Sequence, residues 1–288
     1  MGTNAQLGHA MDMRVIEENP NLRTNTLYVH QTPQRRFAIY HHSVHGKMLY
    51  FDEYCHSAED DEYIYHESII HPALLAHPHP QRVLLLGGGH GAGLREILKH
   101  PDIEKVIVLD QDGDFIDACE RFLPEWHQGV FDDPRVEFVI GDMSAFFHQF
   151  SMPFDIVVYD QIELLSSMSV ESFSKLLQKI KIRMHPGGSF VMKSFPFSVS
   201  DNERHLNLLS LVKAHFKFID TGRVFVPSST NIKTCICASD ACHVAKLPKE
   251  IVNRRLDRRN IESKLKFYDG DAHNHVFALS KDLRKLLV

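Results

Sequence analysis

The chain has 288 residues, 43% of them hydrophobic and 24% charged, with a formal net charge of −5. That composition suits a globular protein with ample core, and its slight acidity supplies no basic field for nucleic acid or an anionic membrane. No apolar run approaches the roughly 18 residues a membrane span needs, and five cysteines without a framework spacing read as free thiols of a reducing compartment.

The opening MGTNAQLGHAMDMR has neither the apolar region of a signal peptide nor the serine or threonine of a myristoylation site. Residues 1–13 are expected to be a disordered lead. Residues 14–65 are expected to form a small antiparallel β domain. TLYVHQ and RRFAIYHH are rich in β-branched and aromatic residues, and QTPQ and VHGK break them as turns do. DDEYIYHESIIHPALLAH carries Ile64, Ile69, Leu74 and Leu75 at helical spacing, with Pro72 as an early break or kink.

A different rhythm begins at Arg82. The strands RVLLLG, KVIVLD, VEFVIGD, FDIVVYD and SFVMKS alternate with the helices LREILKH, DFIDACERFL and SVESFSKLLQKIKIRM, the last ended by HPGG. Residues 66–288 therefore read as a Rossmann-like, doubly wound, mostly parallel α/β sheet covered on both faces. Ligands of such sheets bind at the strand C-terminal ends. Cys235 and Cys237 fall two apart in an apolar run, facing one side of a further strand. NRRLDRRNIESKLK reads as a helix with a solvated, mixed-charge face.

The chemistry starts in LLLGGGHGAG. Gly87, Gly89 and Gly91 alternate, which allows a tight turn and a close backbone approach to a ligand; a plain strand-to-helix turn is the alternative. Asp110 ends the next strand, about twenty residues on, where an acid accepts ribose hydroxyls. Asp112 and Asp114 are alternatives, as helix caps or loop acids. Asp142 ends the third strand in GD, where an acid reaches an adenine amine, and favours an S-adenosylmethionine-type ligand over NAD. Asp160 ends the fourth, placed to face a sulfonium and a nucleophile, or to cap a helix. The histidines of HHSVH and HPHP lack any HExxH-type spacing, so no metal site is expected.

From about Gly46 to the end the chain resembles the spermidine synthase (polyamine aminopropyltransferase) family. The stretch from GKMLYFDEY to LLLGGGHGAGLREILKHP is similar to that family's approach to its GGGDGG loop. FDDPRVEFVIGD and LKFYDGDAHNHVFALSKDLRKLL follow in the family's order. The resemblance implies a small β domain and a Rossmann-like catalytic domain. It also implies decarboxylated S-adenosylmethionine as donor, an amine acceptor, and a cytoplasmic homodimer or tetramer. By position it gives Asp110 to the ribose, Asp142 to the adenine, His56 to the nucleoside, and Asp160 to catalysis. Tyr65 and Tyr268 would line the acceptor pocket.

The departures bear on the substrate. The loop aspartate that helps hold the donor's amine is His90 here. DQIELLSSM replaces DSxDPxGPA, with Glu163 in place of the second acid. An acceptor-side glutamine is Lys193. Both His90 and Lys193 move the site toward positive charge. Aminopropyl transfer to an amine, giving methylthioadenosine, is the first reading; the alternative is a ligand bearing a carboxylate, either an aminocarboxylate acceptor or intact S-adenosylmethionine donating a methyl or aminocarboxypropyl group. A non-catalytic nucleoside-binding homologue is the third reading. Nucleic acid and membrane partners are not expected.

Overall fold

The computed structural model describes residues 24–52, 54–165 and 168–287; the expected lead 1–13 and the start of the β domain, 14–23, lie outside them. The chain divides into two compact units. The first runs to Glu62 and takes in Phe225–Asn231; the second comprises Tyr63–Val224 and Ile232–Val288.

In the first unit, β1 (Thr24–Gln31), β2 (Arg36–His42), β3 (Gly46–Phe51) and β4 (Tyr54–Ala58) form an antiparallel sheet in that order. Ala38, Tyr40, Met48, Tyr50, Cys55 and Ala58 pack together, with the Tyr40 and Tyr50 rings edge to face at 5.5 Å. Asp61 fastens the late segment to this unit. Its carboxylate accepts from both the backbone N–H and the hydroxyl of Ser228, each at 2.7 Å.

The second unit holds seven strands: β5 (Arg82–Gly87), β6 (Lys105–Asp110), β7 (Val136–Ile140), β8 (Phe154–Asp160), β9 (Met184–Ser194), β10 (Phe218–Val226) and β11 (Asn231–Ser239). Their order is β10-β11-β9-β8-β5-β6-β7. β5 to β9 pair in parallel, and β11 lies antiparallel to β9. Leu84, Leu86, Ile107 and Leu109 pack against helices Met143–Gln149, Val170–Ile182 and Glu203–Lys213. Val83, Leu85 and Val108, pointing the other way, are buried as well. Apolar runs without alternation are what a sheet covered on both faces requires. The chain proceeds from β5 to β6 and β7 on one side, then returns to β8 and β9 on the other. The switch point thus falls between β5 and β8.

Three expectations need correction. Helix Glu62–Ala76 runs through Pro72 without ending there. HPGG does not stop the preceding helix; it lies inside β9, where the register with β8 shifts between Phe154 and Ile156. The basic segment is not simply a solvated face. Arg255 and Arg259, at the end of helix Lys249–Arg258, donate to the carbonyls of Leu74, Leu75, Ala76 and His77 and so cap helix Glu62–Ala76. Cys235 and Cys237 do share one side of β11 as free thiols, hydrogen-bonded to one another. Among the described residues, no helix is long and apolar enough to cross a membrane.

Two buried histidines make this fold sensitive to acid. His205 lies between Ser194 and Thr221 at 2.7 and 3.0 Å. Burial pushes it, and His273, down to about 4 from the ordinary 6.5. The unfolded chain therefore binds more protons than the folded one throughout that window. Stability should fall as pH drops from 6.5 to 4, by at most about 3 kcal/mol per histidine, and level off below. Urea unfolding across this range checks it; His205→Asn should flatten the slope.

Candidate functional site

The loop after β5 turns on glycines in the left-handed region. Gly87 has φ +85° and Gly91 φ +84°. At Gly91 a Cβ would also stand 2.4 Å from the His127 Cβ, so glycine is required twice over. Helix Ala92–Leu98 starts directly behind it. At the end of β6 the buried Asp110 accepts the Asp112 N–H at 3.2 Å. Its other oxygen lies beside Gly89, 3.2 Å from where a Cβ would be. Asp112, not Asp110, caps the following helix, through the Phe115 N–H. Asp142 is exposed and caps helix Met143–Gln149, accepting from Ser144 and Ala145 at 2.7 and 3.1 Å.

Asp160 ends β8 directly beside Gly87 in the β5–β8 ladder. The Tyr65 hydroxyl donates to its Oδ1 at 3.0 Å, and His90 Nε2 stands 3.6 Å from its Oδ2. All three side chains are buried. His90 Nδ1 accepts the Ala92 N–H at 3.2 Å, so the ring proton sits on Nε2 and faces the carboxylate. The His66 ring packs 5.0 Å from His90. One ligand atom each from His66, His90 and Asp160 lies within 4.8 Å of the others. Metal ligation would require the other His90 tautomer and the loss of the Ala92 bond, so the local bonding favours a hydrogen-bonding site.

Lys193, on β9, is buried with Nζ 5.9 Å from the centre of the Tyr65 ring. Tyr268 sits in a cluster with Leu75, Val252, Leu256 and Ile261, and its hydroxyl bonds to His273 Nδ1 at 2.5 Å. Burial raises its pKa well above 10. His56 belongs to the first unit, on β4, with its ring 4.6 Å from that of Phe51. Glu163 lies in helix Ile162–Leu165, and its side chain is outside the described residues.

A profile of the spermine/spermidine synthase domain matches residues 62–246. A polyamine aminopropyltransferase of Sulfurisphaera tokodaii is 34% identical over 282 residues, covering 97% of this chain and 89% of that protein. One from Hyperthermus butylicus is 36% identical, covering 81% of each. The chain belongs to the spermine/spermidine synthase family. Its fold agrees with two solved members at 25% identity. The crystal structure of spermidine synthase from Thermotoga maritima gives a TM-score of 0.77, covering 91% of this chain and 87% of that one. A spermidine synthase in complex with the transition-state analogue AdoDATO gives 0.78, covering 91% and 88%. The protein is a transferase.

Two site residues escaped the sequence reading. Gln161 is 2% exposed, and neither its amide oxygen nor its amide nitrogen has a hydrogen-bond partner among the described residues. Its Cγ lies against Gly87, 2.1 Å from where a Cβ would be. Nothing in DQIEL marks it; only the missing Cβ across the sheet makes room for it. Glu67 is the second. Fully buried, its carboxylate accepts the N–H groups of Lys266, Phe267 and Tyr268 at 2.9, 2.8 and 2.8 Å. Glu67→Gln turns one acceptor into a donor facing donors. It should cost about 2–3 kcal/mol, and hydrogen exchange should quicken at amides 266–268 before it does in the sheet.

Proposed function

We propose that this protein transfers an alkyl group, in the family an aminopropyl group, from an adenosyl-sulfonium donor to an amine acceptor, leaving methylthioadenosine. The observation that carries this reading is Asp160 at the switch point, in register with the glycine turn and held by Tyr65. Family membership supports decarboxylated S-adenosylmethionine as the donor.

The residues divide the work. Gly87, Gly89 and Gly91 let the donor approach the sheet edge, Asp110 takes the ribose, and Asp142, with one oxygen committed to its helix, offers the other to the adenine. His56 is assigned to the nucleoside, Tyr65, Glu163 and Lys193 to the acceptor. Tyr268 supports that pocket from behind, through the tail that Glu67 holds. The amine attacks the carbon next to sulfur, the C–S bond breaks with its electron pair going to sulfur, and a neutral thioether leaves. No general acid is needed, but the amine must first shed a proton. Passing it from an ordinary amine to an ordinary carboxylate is uphill by about 9 kcal/mol, whereas release to water at pH 7 is uphill by only about 5. Asp160 therefore orients the amine and relays its proton outward rather than keeping it. The family resemblance also supports a cytoplasmic protein that works as a homodimer or tetramer.

Product analysis by mass spectrometry, with an adenosyl-sulfonium donor and a panel of amines, tests the reading. Asp160→Asn should lower kcat by about 100-fold or more with little change in methylthioadenosine affinity. Asp110→Asn should do the reverse, weakening methylthioadenosine about tenfold by loss of a hydrogen bond to a charged acceptor. An Asp160→Asn variant as active as the parent removes that residue from the mechanism.

A further inference from the structure

The helix that leads out of the glycine turn, Ala92–Leu98, is buried along its whole length and carries a single acid. That acid, Glu96, takes three donors: Arg95 Nε at 2.8 Å, Lys99 Nζ at 2.7 Å and His71 Nε2 at 3.0 Å. Arg95 and Lys99 belong to the same stretch of chain as Glu96. His71, on helix Glu62–Ala76, ties the acid to another element. At the front of the short helix, the Ala92 N–H donates to His90 Nδ1 and the Arg95 N–H to the Gly91 carbonyl. Glu96 follows Gly91 by about 7.5 Å along the helix axis. Whatever holds Glu96 therefore holds the glycine turn.

The bonds behind His71 admit one arrangement of protons. A guanidinium only donates, so His100 Nδ1, 3.0 Å from Arg259 Nη1, accepts. His100 Nε2 then carries the proton and donates to His71 Nδ1 at 2.9 Å, which leaves the His71 Nε2–H for Glu96. A further proton on either ring sets N–H against N–H, and one bond of the chain must open. Both rings are fully buried. The charged groups around them are Arg95, Glu96 and Lys99 from the short helix and its end, and Arg259, Arg255 and Arg258 from helix Lys249–Arg258 and its end. Asp102 stands 3.4 Å from Arg259 Nε. The Tyr268 ring lies 5.6 Å from that of His71, and Glu67, one turn back on the same helix, is committed to the tail. Burial, His71 and Arg259 hold His100 well below the ordinary imidazole value of 6.5.

We infer that His100 and His71 form a latch on the glycine turn, closed while both rings are neutral and opened by one proton, with His71 as a positioning residue for the adenosyl donor. The inference rests on the donor reading above and adds a control by pH to it. In the open form Glu96 keeps Arg95 and Lys99 but loses its tie to helix Glu62–Ala76, and the turn loses its fixed backbone. Donor binding selects the closed form and so opposes the proton. Affinity is therefore full at neutral pH. It falls as acid reaches the pair, below 6.5, by up to about tenfold per pH unit, the limit for one proton.

Calorimetric titration with methylthioadenosine from about pH 8 to pH 5 tests this, in wild type and in the double variant His71→Gln, His100→Gln. Each glutamine keeps one acceptor and one donor and takes no proton. Wild type should lose affinity in acid, and the double variant should lose less. His56, His66 and His90 are the same in both, so the difference between the curves belongs to the latch. His71→Leu, which removes the donor to Glu96, should raise KM for decarboxylated S-adenosylmethionine about tenfold at neutral pH and leave kcat unchanged. Hydrogen-exchange protection of amides 88–96 gives a readout that needs no ligand. In wild type it should drop in acid before that of the central strands. The same pH dependence of affinity in wild type and double variant overturns the latch, and so does wild-type protection at 88–96 that falls only together with the sheet. If methylthioadenosine does not bind wild type at neutral pH, the donor reading fails separately and the exchange profile decides the latch. If the double variant does not fold, the wild-type exchange profile decides by the same criterion.

Discussion

Helix Glu62–Ala76 is buried on nearly every side yet carries polar groups around its circumference, and the second unit is organised by the need to pair each of them. A buried polar side chain without a partner is destabilising by about 1–3 kcal/mol. Tyr65 is satisfied by Asp160, Glu67 by three backbone N–H groups of the C-terminal tail, and His71 by Glu96 at 3.0 Å. The helix end is met by Arg255 and Arg259. About two turns of helix thus tie together the switch point, the tail and the helix behind the glycine loop.

The His71 side of this helix shows how such pairing can be made consistent. Arg259 donates to His100 Nδ1 at 3.0 Å. His100 then has Nε2 for His71 Nδ1 at 2.9 Å, and His71 has Nε2 for Glu96. Every bond runs the same way, and both imidazoles can stay neutral. Burial indeed pushes His100 well below its usual value, with His71 and Arg259 adding to the effect. Burial alone would raise Glu96, but His71, Lys99 and Arg95 outweigh it and hold the carboxyl below its usual value. Glu96 lies on helix Ala92–Leu98, so this network fixes the helix that leads out of the glycine turn. His90 is held within that turn, and Asp160 faces it. The geometry around Asp160 is set by bonds that lie mostly outside its immediate surroundings.

Local rules made the architecture readable. The strands announced themselves as apolar runs, and the acids at their ends stood where a doubly wound sheet puts ligand groups. What failed was local punctuation that tertiary pairing overrides. Pro72 sits in a helix whose two ends are otherwise secured. HPGG joins a strand because β8 offers a register shift to receive it. Phe225–Asn231 returns to the first unit because Asp61 is there to bind Ser228, a link across 167 positions. His66, His90 and Asp160 come from three segments with no spacing motif, so their meeting is a property of the fold. His90 and Lys193 stood out only against the family pattern, and Gln161 not even there.

Gln161 also explains a feature of the glycine loop that ligand binding alone does not. The missing Cβ of Gly87 is occupied from within, by the Gln161 side chain, and Gly91 is likewise filled by His127. The glycines therefore serve the protein's own packing first. Gly91 brings two segments into contact; Gly87 admits a polar chain to the sheet edge at the point where two parallel strands end. An apolar residue at position 161 would fill the same space without burying an amide that finds no partner among the described residues.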